Sequence, residues 1–178
     1  MSRTQEAFDR FREQVGTPRL PPPHLIANAD QTRQMTATDG LREWEDGADS
    51  AKASPPTEAP LLTTDQLDSI NLWVVRSTDV VHALEKCSFG SNLETGVIKH
   101  TNLTGGEAAY SGGELLFLED GTIVVNGCSG RYGPRSPKEL ESVVAAFAQS
   151  GYQVWYMGFD EEANRPLPFL GVRPQWFQ

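Results

Sequence analysis

ELLFLEDGTIVVNG, residues 114–127, is the stretch whose reading decides the fold class. Two apolar runs, Leu115–Leu118 and Ile123–Val125, flank Asp120-Gly121. An Asp-Gly pair suits the tight turn whose twist matches that of two antiparallel strands. The segment is therefore expected to be a β-hairpin. Directly downstream, SPKELESVVAAFAQSG changes period from two to 3.6. Ser136 stands at the N-cap, Pro137 at the first helical position, and Glu139 completes a capping box. Leu140, Val143, Val144 and Phe147 then form one apolar stripe, and Gly151 supplies a left-handed stop.

Working outward, LWVVR (72–76) has the β-branched and aromatic content of a strand. Ser77 or Thr78 is then expected to cap a helix with Val80, Val81 and Leu84 on one face. A further strand is expected near Val97 to Leu103, and another in YQVWYMGF (152–159). The proline-broken tail, 164–178, is expected to pack as an irregular strap. The order strand, helix, strand, hairpin, helix, strand predicts an α+β domain: a mixed, mostly antiparallel sheet with a central β-hairpin and two or three packed helices. A doubly wound dinucleotide fold is disfavoured, because no G-x-G-x-x-G follows the first strand.

The first 60 residues differ in character. They hold seven of the 12 prolines and three of the 16 glycines. Residues 3–15 carry Phe8, Phe11 and Val15 at helical spacing, with Ser2 and Gln5 as a capping box. This helix reads either as part of its own domain or as a docking element for a protein partner. Between Gly16 and Pro60 no period is sustained apart from a Leu41–Trp44 island, so a flexible linker is expected. The chain is thus divided into 1–60, a helix plus Pro-rich extension, and 61–178, a compact α+β domain.

Twenty-four acidic against 15 basic residues give the 178-residue chain a formal charge of −9. That balance argues against nucleic acid and against anionic membrane surfaces. No apolar run approaches the ~20 residues of a bilayer span. The N-terminus lacks the apolar core of a secretory signal, so the expected location is the cytoplasm, or outside it by export without a cleavable signal peptide. Cys87 and Cys128 are too few for a disulfide scaffold, and no metal-ligand spacing is present.

Candidate chemistry concentrates between Lys99 and Pro134. His100 is the histidine best placed for proton transfer; His24 and His82 are weaker candidates. Glu114, at the head of the hairpin, is suited to stabilising a developing cation or activating a nucleophile. Arg76 ends the first strand next to a helix cap, where its charge is misplaced unless it holds a phosphate or carboxylate. Arg131 and Tyr132 form a guanidinium-and-ring pair suited to an anionic aromatic ligand. Beside each of these stands a plain structural role: buried histidine, strand-edge glutamate, surface arginine, strand-bending glycines.

The residues His100-Thr101, Gly105-Gly106, Gly113-Glu114 and Ser129-Gly130-Arg131-Tyr132-Gly133-Pro134 resemble the shared block of the plant IQ-motif calmodulin-binding proteins and related bacterial proteins. The likeness spans about residues 97–137. Arg131 stands where that block has His, and the glycine spacing after His100 is about one residue shorter. This resemblance implies a local fold rather than a reaction. A shorter likeness, made of Arg76, the Phe89-Gly90 turn and the segment bearing His100, resembles the opening of ADP-ribosyltransferase toxin domains. It implies a bacterial or phage-borne effector using NAD. Arg76 would hold the NAD phosphates, Thr101 or Ser129 would supply the pocket hydroxyl, and Glu114 (less well Glu161 or Glu162) would stabilise the oxocarbenium-like transition state. The alternative is a non-catalytic immunity, adaptor or defence-modulating protein that recognises a basic partner through an acidic surface. The two readings differ in geometry. A transferase needs Arg76, His100 and a glutamate at one cleft, whereas a binding module needs an apolar patch rimmed by acid.

Overall fold

A computed structural model describes residues 1–48 and 58–178. The hairpin forms as expected. β4 (Ser111–Phe117) pairs antiparallel with β5 (Ile123–Asn126) across a turn in which Gly121 has φ +86°. Around it lies a seven-stranded sheet that also contains β1 (Arg42–Glu43), β2 (Asn71–Val75), β3 (Val80–Leu84), β6 (Val154–Tyr156) and β9 (Gln175–Trp176). The strand order is β1-β3-β2-β4-β5-β6-β9. Only the β5–β6 pair is parallel. That pair needs a crossover, which α4 (Pro137–Gln149) supplies. β7 (Phe159–Asp160) and β8 (Arg165–Pro166) make a separate small ribbon. The fold class is the α+β arrangement expected from the sequence.

Alternation along the strands sends side chains to two cores. On one face, α4 and α1 (Arg3–Val15) pack together over Trp73, Val75, Leu115, Ile123 and Val125. Phe147 stands edge-on to Phe8, Trp73 and Trp44 at 5.0–5.1 Å between ring centroids. Each such buried ring stabilises the fold by roughly 1.5–3 kcal/mol. The opposite face carries Leu72, Val74, Val81, Ala83, Leu116 and Val124. Irregular segments cover it, contributing Met35, Ile98, Leu103, Tyr132 and Phe169.

Three local expectations are corrected. Residues 80–84 are a strand, not a helix: Val80, Val81 and Ala83 are buried and pair with β2. Ser77 and Thr78 lie in the tight turn between the two strands, where the Arg76 N–H donates to the Asp79 carbonyl. Residues 97–103 are not a strand but lead into a single helical turn, α3 (Thr101–Thr104), shortly after a similar turn, α2 (Ser88–Ser91). The caps of α1 and α4 are half-boxes. Ser2 Oγ accepts from the Gln5 N–H and Ser136 Oγ from that of Glu139. The Gln5 side chain turns to Asp9, and the Glu139 carboxylate to the Arg135 N–H.

The segment expected to be a linker is packed over residues 17–48. Arg19 makes a β-bridge with Ala109, Met35 and Trp44 are buried, and Arg42–Glu43 adds the sheet's edge strand. Apolar periodicity misses such a strap because its few anchors are widely spaced and side-chain hydrogen bonds from elsewhere hold its backbone. The rest of the expected linker, 49–57, lies outside the described residues.

Candidate functional site

The block from His100 to Pro134 folds back on itself and onto the strap. His100 Nε2 donates to the Gly113 carbonyl at 2.8 Å, inside the protein. Burial pushes this histidine down to about 4, against the raising effect of that hydrogen bond, with Arg131 and Lys99 adding to the depression. Near neutrality the ring is uncharged and its Nε2 proton is committed to the backbone. Thr101 Oγ1 donates to the Gln31 carbonyl. Asn102 Nδ2 donates to the carbonyls of Asp30 and Arg33 at 2.8 and 2.9 Å, and its Oδ1 accepts from the Lys99 N–H.

Tyr132 is the pivot of this arrangement. Its hydroxyl donates to the Glu107 carbonyl at 2.7 Å and accepts from Thr104 Oγ1 at 2.8 Å. Ser129 Oγ accepts from the Tyr132 N–H. Arg131 reaches outward to the strap, donating to the Leu25 carbonyl and Gln31 Oε1 at 2.6 and 2.9 Å. The paired glycines serve this closure. Gly105 and Gly106 both have positive φ, and a Cβ on Gly113 would stand 2.1 Å from the Asn126 carbonyl oxygen.

Arg76 sits elsewhere. It forms a two-pronged ion pair with Asp79, 2.7 Å on each prong, and donates to the Leu103 carbonyl. Hydrogen bonding to Asp79 raises its pKa, so the strand-end cation already has its anion. Glu114 projects into a third environment. Its Oε1 accepts from Asn126 Nδ2, while Asn126 Oδ1 accepts from the N–H groups of Glu114 and Cys128. Burial raises the pKa of Glu114 above the usual carboxylate range despite the Asn126 bond, and Glu85 raises it further. Both carboxylates line a cavity of about 350 Å³ with Lys86, Ile70, Phe169 and Leu170. Burial pushes the Cys128 thiol up to about 12, with Glu114 adding to it. Arg76 and His100 do not line this cavity. The Glu114 cavity therefore brings together neither Arg76 nor His100 with the glutamate.

A different feature stands at the end of the sheet face that α1 and α4 leave uncovered. Trp44 folds over it, 5.8 Å from Phe117 in a stacked pair and 5.4 Å from His82. Phe117 remains 47% exposed and Leu84 40%. His82 faces the Asn71 Oδ1 at 3.0 Å, and burial, then Arg42, pushes it down to about 4. Exposed Glu43, Glu45 and Glu119 flank Trp44 and Phe117 in sequence. Sequence reading picked out Trp44 but missed Phe117 as a surface group, since it sits in the apolar alternation of a strand otherwise destined for the core.

No known protein family, curated protein or solved structure matches the chain. Among the described residues, no helix is long and apolar enough to cross a membrane, and no group of three His, Cys, Asp or Glu is placed to hold a metal.

Proposed function

We propose that the chain is a non-catalytic binding protein of the immunity, adaptor or defence-modulating kind, which recognises a basic protein partner through the Phe117 end of its sheet. The observation that carries this reading is the exposed Phe117 ring, stacked on Trp44 beside His82, with exposed Glu45 and Glu119 adjacent in sequence to Trp44 and near Phe117 and with Arg42 paired opposite His82. An exposed aromatic anchor with carboxylates nearby suits a partner that presents an apolar side chain beside lysines or arginines. The −9 net charge favours encounter with such a surface. His100, Thr101, Ser129, Arg131 and Tyr132 support the same reading, since each has a hydrogen bond inside the protein. A helix-docking role for Phe8 and Phe11 is less favoured, because both rings are buried against α4.

The second reading is the NAD-using ADP-ribosyltransferase-like effector. The half-buried Glu114 in its partly apolar cavity favours it. One experiment separates the two. The purified chain is titrated with NAD and ADP-ribose in a thermal melt, and partners are captured with wild type, Phe117→Ser and Glu45→Lys/Glu119→Lys chains. A basic partner retained by wild type and lost by both variants is the expected result. A ligand at ~100 times its Kd stabilises a fold by about 2.7 kcal/mol. A clear NAD-dependent rise in Tm would overturn the non-catalytic reading.

A further inference from the structure

A cavity of about 690 Å³ lies between the end of α1, the strap and the start of α4. It is lined by Arg19, Arg135 and Lys138, with Glu139 as its one carboxylate and with the hydroxyls of Thr17 and Ser142. This is a local excess of two positive charges in a protein of net charge −9. Among the described residues, the Arg135 and Lys138 side chains have no hydrogen-bond or ion-pair partner. Arg19 is largely buried, with 13% of its side chain exposed. It holds the strap in place by donating to the carbonyls of Tyr110 and Tyr132 and to Glu139, yet its buried Nε has no partner among the described residues. Burial lowers the Arg19 pKa, and Arg135 lowers it further, against the opposing pull of Glu139. Exposed Arg135 and Lys138 thus stand at one open space beside the buried Arg19–Glu139 pair, which leaves the cavity with its excess of positive charge. The α4 N-terminus is already capped by Ser136, so the charged side chains and not the helix end make the site.

We propose that this cavity binds a phosphomonoester or inorganic phosphate dianion. Two excess positive charges match a dianion. The Arg135 guanidinium, the Lys138 ammonium and the hydroxyls of Thr17 and Ser142 offer donors to three phosphate oxygens, more than a carboxylate presents. The volume exceeds that of phosphate alone, and Val15 and the stem of Lys138 give an ester's organic group a surface to lie on.

The test is calorimetric titration of the full chain with inorganic phosphate, phenyl phosphate and benzoate at about 0.1 M ionic strength, where distant charges are screened. Arg19 is avoided as a target because it also anchors the strap. The variants are Arg135→Gln, Lys138→Gln and their combination, whose unliganded Tm should match wild type. Saturable binding of phenyl phosphate, weakened at least tenfold in the double variant, is expected. Tighter binding of phenyl phosphate than of phosphate identifies an ester, and equal binding identifies free phosphate. Three results would overturn the proposal: no saturable phosphate or phenyl phosphate binding, benzoate binding as tightly as phenyl phosphate, or a double variant that binds within twofold of wild type.

Discussion

His100 Nε2 and the carbonyl oxygen of Gly113 lie 2.8 Å apart in the protein interior, joining the turn before α3 to the middle of β4. The pair fixes the ring's tautomer and occupies the proton that catalysis would need. Replacing the ring with an apolar side chain leaves the Gly113 carbonyl without its side-chain donor. His100→Leu should therefore lose about 1–3 kcal/mol more in urea unfolding than His100→Gln, whose amide can still donate. Equal losses would mean that the hydrogen bond adds nothing beyond packing.

Acid should weaken the fold in a defined window. His100 and His82 are each pushed down to about 4 by burial, whereas in the unfolded chain they titrate near 6.5. Between those values the unfolded chain binds more protons, so stability falls as pH falls, by at most about 1.4 kcal/mol per pH unit for each histidine. Glu85 and Glu114, raised by burial, act in the opposite sense and recover part of the loss on the acid side. Urea midpoints at pH 7.5, 6 and 5 should decline, and His82→Asn should decline less steeply by about one proton. An unchanged slope in that variant would show that His82 titrates normally.

Gly113→Ala should be severe. The added Cβ would meet the Asn126 carbonyl oxygen at 2.1 Å and the Trp73 indole at 2.7 Å, and both neighbours are buried and pinned. Separating β4 from β5 at this point also pulls Asn126 from Glu114. The cost should exceed about 3 kcal/mol. Gly121→Ala, where the turn has positive φ but nothing lies within 4 Å, should cost only about 1 kcal/mol. Comparable Tm losses for the two would contradict this packing of the strand.

The contrast between those glycines shows what the sequence made legible. Local chemistry wrote the hairpin at Asp120-Gly121 and the stripe of α4, and both are present. The density of Gly, Ser, Thr and Asn from Lys99 to Pro134 was legible as special, but its partners were not. Several are main-chain carbonyls of Leu25, Asp30, Gln31 and Arg33, some 70 to 100 residues away and carrying no side-chain signature. The same blindness hid the strap and Asn126, which acts through both ends of one amide. Val80–Leu84 was read with a helical period because Val-Val-x-x-Leu satisfies it, and pairing with two neighbouring strands decided otherwise.

Arg76 gives the sharpest separation of the two functional readings. In the transferase reading it is held for NAD phosphates, and Arg76→Ala abolishes an NAD response without harming the fold. In the binding-protein reading it closes the β2–β3 turn. Its guanidinium spans both oxygens of Asp79 and the Leu103 carbonyl, while its own carbonyl accepts from Arg12 Nε at 2.8 Å. The ion pair is about a quarter exposed, so solvent discounts its worth to about 1 kcal/mol. The Leu103 carbonyl left behind adds a similar amount. Arg76→Ala should therefore lower stability by about 1–2 kcal/mol in urea melts, while neither wild type nor variant shifts with NAD. A variant as stable as wild type whose NAD-induced rise in Tm has vanished would return Arg76 to the phosphate-binding role.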